Sequence, residues 1–467
     1  MSDLTTGGDG LPAGGHATRS EAPLPRDTGR HTAPLPLRLV AVASTVLVVM
    51  VASACATTSA PGGTAPPSTF GADSPWLGPF TPAALPALVN SLGALDCVSA
   101  SRCWAVGSTI GSAGAPNGAA VIATTNGGIS WVSQTVPPTV GFLSDIACSD
   151  QKRCTSVGQA TPTSDGQAVI IGTVDGGTVW TPEPTPPGIL DLTAVTCRTS
   201  GRCVAIGSTA GGVVALVSAT TGTTWSQEGA LPANTTGATD ISCSDELTCF
   251  VTAHTAADLD HVNGTVAVSV DGGATWSTVT MPPGIGYLNG ISCLGGPVTG
   301  SGALPTTTVA PTTSLAAPSP ATAPTTTAPT TTTGATTPVA PPPTGVAGAN
   351  CTVVGTTANT LNGTRTGHGL LLTTENGGAS WSVRPVSAAS ASLADVSCTA
   401  IGSCVAVGDS VATSDKAGMV ILSGTPARPW KKPAVVGAPQ PLTAVSCVSS
   451  SSCVVVGESF SEHLAGG

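Results

Sequence analysis

The residues of this chain whose type and spacing suit chemistry are its cysteines. There are 15 in 467 residues. Most fall in pairs six positions apart: Cys97/Cys103, Cys148/Cys154, Cys197/Cys203, Cys243/Cys249, Cys398/Cys404 and Cys447/Cys453. Paired cysteines serve zinc binding, redox exchange or structural disulfides. Zinc pairs use gaps of about two to four residues, often with histidine. Here five residues separate each pair, and the 6 histidines do not accompany them. Repeated, similar pairs read as staples, which form outside the reducing cytosol. Cys293 and Cys351 are held apart by a Thr/Pro/Ala tract from Leu304 to Pro343; without it they make a seventh pair.

The cysteine left over is Cys55. Ala52-Ser53-Ala54-Cys55 ends an uncharged apolar run over 39–56 and resembles a bacterial lipobox, whose Cys becomes a lipidated N-terminus. Ala52 stands where Leu is usual, and a polar Gly/Pro tail over 1–38 precedes the run. A lipoprotein signal and an uncleaved signal-anchor helix both fit. The arginines before it (Arg19, Arg26, Arg30, Arg38) keep the N-terminus inside the cell. Residues 57–75 read as a linker.

Other candidate groups are sparse. The stretch His254 to His261 reads as a polar loop in which His254, Asp258, Asp260 and His261 would be the ligands of a divalent metal, although a solvated loop explains it as well. Phe142, Tyr287 and the turns Pro186-Pro187-Gly188 and Pro282-Pro283-Gly284 suit an apolar rim for a peptide or protein. No cofactor is expected. Only 9% of the chain is charged, with a net charge of −10, a poor match to nucleic acid, which needs a basic face.

The elements that must position these residues repeat about every fifty residues, the spacing of a propeller or solenoid. Each unit runs Cys-x5-Cys, a β-rich stretch, then a turn and a Trp. In the second unit, strands are expected at 143–147, 155–157 and 168–174, with a fourth from Trp180; Val, Ile and Thr are enriched and Gly, Pro and Asp-Gly turns separate the runs. A weak helical periodicity covers 82–92. Repeated four-stranded sheets are propeller blades. The expected architecture is an all-β, seven-bladed propeller over 76–460, interrupted by a low-complexity insertion over 299–350 and preceded by one N-terminal hydrophobic helix. The last unit lacks an outer strand, so residues near 76–82 are expected to pair beside the strand after Cys453 and close the ring. Opposed residues at each cysteine hairpin would sit about 4.5–5.5 Å apart, within disulfide range.

The turns are Asn126-Gly127-Gly128, Asp175-Gly176-Gly177, Asp271-Gly272-Gly273 and Asn376-Gly377-Gly378, with copies degraded to Thr220-Thr221-Gly222 and to Pro426 through Pro429. Thr-x-Asn-Gly-Gly-x-Ser-Trp and Val-Asp-Gly-Gly-Ala-Thr-Trp resemble the Asp-box (BNR) repeat of sialidases, sortilin-type receptors and photosystem II assembly-factor-like propellers. The resemblance covers most of 76–460. It implies that Asn126, Asp175, Asp271 and Asn376 are structural and lie away from the functional face; calcium at these acids is the minor alternative. Sialidases of this family use three arginines and a Tyr/Glu pair. Here the one tyrosine, Tyr287, has no Glu beside it, and Arg102, Arg153, Arg198 and Arg202 sit in cysteine hairpins. No catalytic residue is carried over. The expected function is a noncatalytic, membrane-anchored scaffold of a bacterial envelope, binding a protein, a peptide or a glycan. A glycoside hydrolase and a structural or adhesion protein are the alternatives.

Overall fold

The computed structural model describes residues 81–111, 118–161, 167–258, 261–295, 348–357, 368–386, 390–410, 418–422, 430, 434–435, 441–457 and 461–465. The N-terminal tail, the apolar run with Cys55, the linker, Asp260 and nearly all of the Thr/Pro insertion lie outside them. Asp258 and His261 are described by backbone alone.

The strands form seven four-stranded antiparallel sheets, numbered here 1 to 7 from the sheet that starts at Val89. Sheet 2 shows the pattern: Val140–Cys148, Cys154–Ala160, Ala168–Thr173 and Thr181–Glu183, each paired with the next. The innermost strands are Val89–Cys97, Val140–Cys148, Ile189–Cys197, Thr235–Cys243, Ile285–Gly295, Ser390–Ala400 and Leu442–Ser449. Each packs against the innermost strand of the next sheet, and the seventh packs against the first. The result is a propeller of four-stranded blades.

Closure uses strands from both chain ends. The last sheet has the order Thr81–Ala83, Ser461–Ala465, Ser452–Gly457, Leu442–Ser449. The N-terminal strand therefore lies outermost and pairs with a third strand after Gly457 that the sequence reading did not find. The helical periodicity over 82–92 is also corrected. Its ends belong to two strands, Thr81–Ala83 and Val89–Cys97, joined by a connection over 84–88, and the second strand has one buried face: Leu92 is buried and Asn90 exposed.

Seven disulfides close the hairpins between first and second strands: Cys97–Cys103, Cys148–Cys154, Cys197–Cys203, Cys243–Cys249, Cys293–Cys351, Cys398–Cys404 and Cys447–Cys453. Their Cα atoms stand 3.9 to 4.1 Å apart. This corrects the wider sequence estimate, because each Cys lies directly opposite its partner in register at the tight end of the hairpin. The two members of a pair differ in burial. In the structure the second member is a core residue: Cys103, Cys154, Cys203, Cys249, Cys351, Cys404 and Cys453 are all buried, whereas Cys97, Cys197, Cys398 and Cys447 are only half-buried. The physical reason is position. The second strand has sheet on both sides, so Cys103 packs with Leu95 and Ile122, Cys249 with Val251 and Ala267, and Cys404 with Val396 and Ala406. Cys203 begins the equivalent buried run Cys203-Val204-Ala205-Ile206.

Apolar interfaces hold neighbouring sheets. Trp131 of sheet 1 packs with Ala444, Val454 and Val456 of sheet 7. Trp180 of sheet 2 packs with Trp104, Val106 and Val121 of sheet 1, and Trp381 of sheet 5 with Phe250, Val266 and Val268 of sheet 4. The Trp after each turn thus buries its ring against the preceding sheet, where a large flat side chain contributes most to an interface.

Candidate functional site

The two ends of the inner strands differ in what their side chains are used for. At the disulfide end they hold turns. Thr173 Oγ1 accepts hydrogen bonds from the backbone N–H of Gly177 (2.9 Å) and Asp175 (3.4 Å) and donates to Asp175 Oδ1 (2.8 Å). Asp175 in turn accepts from Val179 N (3.1 Å). Thr124, Ser269 and Thr374 do the same for Asn126, Asp271 and Asn376. The hydroxyl two positions before the Asp or Asn thus holds the turn, a role the sequence reading did not assign to the Thr of Thr-x-Asn-Gly-Gly. The copy at Thr220 is not degraded in structure: Ser218 Oγ accepts from Gly222 N, and Thr220 Oγ1 accepts from Thr224 N in the place of the carboxylate. The copy before Trp430 lies outside the described residues.

The arginines of this end are also engaged. Arg102 Nη2 donates to Gly176 O (3.4 Å) and Arg202 Nη2 to Gly272 O (2.5 Å), each bracing the turn of the next sheet. Arg198 Nη1 donates to Cys243 O, and Arg153 pairs with Asp150 at 2.7 Å. Arg384 pairs with Glu375 at 3.6 Å beside the Asn376 turn. Among the described residues these, with Lys152, are all the lysines and arginines, and none lies at the opposite end of the inner strands.

That opposite end is built on β-bulges, which re-aim side chains. Sheets 1 to 6 each carry two register shifts in the innermost strand between this end and the disulfide hairpin, such as Val140/Phe142 and Leu143/Asp145, and sheet 6 a third at Cys398/Ala400. The first bulge swings a carbonyl toward the second strand. There a Cβ on Gly107, Gly158, Gly207, Gly355 or Gly408 would collide with the carbonyl oxygen of Ser91, Phe142, Asp191, Tyr287 or Ser392. The glycine in each Cys-x3-Gly segment is therefore the backbone requirement of the bulge. In sheet 4 the pattern inverts: Ala253 replaces the glycine and Gly237 takes the bulged position, with the His254 ring against it.

The residues at this position differ from sheet to sheet: Ser91, Phe142, Asp191, Gly237, Tyr287 and Ser392. Phe142 is 41% and Tyr287 42% exposed, and the neighbouring Leu88 (62%) and Leu190 (51%) add apolar surface. The His254 ring lies 5.4 Å from that of Tyr287, tilted by 58°, and burial holds its pKa below the usual value. The structure thus brings His254 to Tyr287, but extends residues 254 to 258 and 261 onward as paired strands rather than a loop. Among the described residues no group of three His, Cys, Asp or Glu side chains stands close enough to hold a metal.

The second bulge lines the axis. An open cavity of about 120 Å³ is lined by residues of all seven inner strands. Asp145, Asp240 and Asp395, on alternate sheets, face it. Each carboxylate bridges two sheets. Asp145 accepts from Ile146 N and from Val195 N of sheet 3, both at 2.7 Å. Asp240 does so from Ile241 N and Ile291 N, and Asp395 from Val396 N and Val445 N. Asp96, nearer the disulfides, accepts from Cys148 N. Ser242, Ser292, Ser397 and Ser446 accept from the Cys N–H of the following sheet. Burial pushes Asp145 up to about 7 and Asp96 and Asp395 up to about 6, against the pull of these N–H donors; Asp240 is raised by burial and by the charges of Asp395 and Asp145. Both oxygens of each carboxylate of the trio are engaged by backbone donors, so the trio braces the ring.

No protein-family model matches the chain, and no curated protein matches it in sequence. Among solved structures it is similar to YCF48 from Cyanidioschyzon merolae, at 12% identity and a TM-score of 0.50, over 83% of this chain and 99% of that one. A structure of YCF48 bound to a D1 peptide gives 10% identity and a TM-score of 0.50, covering 83% and 97%. The GH74 enzyme of Niastella koreensis gives 10% identity and a TM-score of 0.46 over 82% of this chain and 53% of that one. At such identities the shared property is the fold, a β-propeller of four-stranded blades.

Proposed function

We propose that this chain is a noncatalytic binding or assembly scaffold: a seven-bladed propeller of the Asp-box type, anchored to a membrane by its N-terminal segment, displayed outside the cytoplasm in the cell envelope, that receives a protein or peptide at the bulged mouth of its channel. One observation carries the reading. A repeated backbone device, bulge plus facing glycine, places Ser91, Phe142, Asp191, Tyr287 and Ser392 at one position of five sheets, a varied set, while the other end repeats its residues and engages them in turns. Fixed scaffold and varied residues are the arrangement of a recognition surface. That YCF48 has been solved with a D1 peptide supports peptide binding on such a fold.

Site-specific photo-crosslinking tests it. A photoreactive residue at Phe142 or Tyr287, in cells that make the protein, is expected to give one discrete adduct; the same residue at Val132 on an outer strand is expected to give none. Equal labelling at all three positions counts against a recognition surface. Hydrolysis of a glycan by the purified chain, abolished by substitution at the mouth, would replace the scaffold with a glycoside hydrolase. Intact mass of the membrane-extracted protein tests the anchor. A start at Cys55 with lipid mass supports a lipoprotein, a full-length chain supports a signal anchor, and recovery without either removes the membrane from the proposal.

A further inference from the structure

We infer that His254 is a hydrogen-bonding residue of the channel mouth: an uncharged imidazole, paired with Tyr287, whose Nε2–H donates to a backbone carbonyl of the bound polypeptide. This rests on the mouth being a binding site, and it names one residue and one contact within that site.

Three observations single the residue out. First, its counterparts in other sheets are engaged at home. They are the residues that follow the glycine of Cys-x3-Gly. Ser108 shares a hydrogen bond with Ser91 (2.8 Å), Ser208 donates to Asp191, and Thr356 Oγ1 accepts from the Tyr287 N–H (3.3 Å). Each thereby holds the bulged residue of its own sheet. In sheet 4 the residue opposite His254 is Gly237, which has no side chain to hold.

Second, space is cleared for the ring. His254 lies between Gly237 and Gly264 of the two neighbouring strands. A Cβ on Gly237 would collide with the imidazole, and a Cβ on Gly264 would collide with the Gly286 carbonyl of sheet 5. One glycine makes room for the ring and the other lets sheet 5 approach. The two sheets together present a His–Tyr pair, with ring centres 5.4 Å apart and Tyr287 42% exposed.

Third, the two ring nitrogens are unequal. Among the described residues Nδ1 is buried and has no hydrogen-bond partner, whereas Nε2 is not enclosed in this way. A neutral imidazole carries one donor and one acceptor. A buried N–H without an acceptor is the rarer and costlier arrangement. The proton therefore belongs on Nε2, and Nδ1 keeps its lone pair. A second proton would have to sit on the buried Nδ1, in line with the pKa that burial holds below the usual value. Nε2–H is then the group left for a ligand. An uncharged donor recovers little of what a carboxylate loses on leaving water, but it matches the single need of a peptide carbonyl.

Two measurements on the full chain test this. Nitrogen NMR on isotope-labelled histidine can assign His254 through its contact with Tyr287, the one tyrosine of the chain. The expected result is a titration midpoint below the ordinary value of about 6.5, with the Nε2–H tautomer above it. An Nδ1–H tautomer, or a midpoint at or above the ordinary value, overturns the donor. This reading uses the native chain, so it stands if a variant fails to fold. The second measurement is photo-crosslinking in cells from a photoreactive residue at Phe142 on sheet 2. His254→Phe keeps a ring without the donor and should lower the adduct yield about three- to tenfold. His254→Gln keeps an N–H near the place of Nε2 and should restore most of it. An undiminished yield with His254→Phe, or equal losses in both variants, overturns the hydrogen bond and leaves the mouth as a binding site. No adduct from the chain with His254 intact overturns both.

Discussion

Protonation of the channel carboxylates should make this protein most stable under mildly acidic conditions. Asp145 has a native pKa of about 7 against an ordinary 3.8, raised first by burial and then by the charges of Asp395 and Asp96, while N–H donation from Val195 and Ile146 pulls the other way. A native pKa above the unfolded one means that the native state holds its proton longer. The stabilisation is complete below about pH 4 and is lost as pH rises through about 7. The gap corresponds to on the order of 4 kcal/mol for Asp145 alone. Asp395 and Asp96, at about 6, act in the same direction. Asp175 does not confuse the window. Its pKa is lowered by the Val179 N–H and the Thr173 hydroxyl, so its contribution is present above the ordinary value and is lost only as pH falls further. The assay is urea denaturation with disulfides intact, from pH 5 to 8, on the native chain and Asp145→Asn. Asparagine cannot titrate, and its single oxygen leaves either Ile146 N–H or Val195 N–H without an acceptor, costing about 1–3 kcal/mol. The variant should therefore be the less stable of the two at pH 5, with the gap shrinking or reversing by pH 8. A gap that stays constant or widens with pH would falsify the reasoning, and would mean that two backbone donors outweigh burial in setting the carboxylate's charge.

Three further outcomes test the fold that carries the site. Gly158→Ala should cost roughly 3 kcal/mol or more in urea denaturation, because its Cβ meets the Phe142 carbonyl; Gly118→Ala, with only an ordinary contact at 3.4 Å, is the control, and equal losses would discount the bulge. Thr173→Val removes the buried hydroxyl that holds Gly177 N and should lower stability by about 1–3 kcal/mol, whereas Thr178→Val on the exposed side of the same turn should change little. Joining Gly295 to Ala349 through a short turn in place of the Thr/Pro insertion should leave the thermal midpoint nearly unchanged. Those residues are already paired, and Cys293–Cys351 closes the loop in folded and unfolded chains alike; a loss of more than about 2 kcal/mol would mean that the insertion holds the sheet.

Much of the scaffold was legible in the sequence because its determinants are local. A Cys-x5-Cys hairpin needs only two opposed residues of one hairpin. The Asn126 or Asp175 turn needs a side chain that bonds its own backbone and glycines at positive φ, as at Gly127 (72°) and Gly176 (77°). The Trp after the turn repeats with them. Such features recur at a fixed period, and period is what a sequence displays. The misses have equally local causes. Ser461–Ala465 carries Glu462 and His463 where the third strands of sheets 2 and 3 carry apolar runs. Residues 254 to 258 read as a polar loop because their pairing partner at 261 onward is polar too. The pairing of Cys103, Cys203, Cys249 and Cys404 was legible, but their burial was not, since it comes from the third strand laid beside them.

Tertiary structure alone decided the site. The Ser/Thr before each turn and the glycine of Cys-x3-Gly are visible as letters, yet their roles depend on where a bulge throws a carbonyl. Asp145 and Val195 lie 50 residues apart, as do Asp395 and Val445, and Asp240 and Ile291 lie 51 apart; only the ring brings them within 2.8 Å. The sequence by itself determined the repeat, the staples and the turns, because each is stabilised within one hairpin. Which acids line the channel, which side chains ring its mouth and which arginines are engaged elsewhere was decided by contacts between sheets, since a side chain's burial and its hydrogen-bond partner are properties of its neighbours.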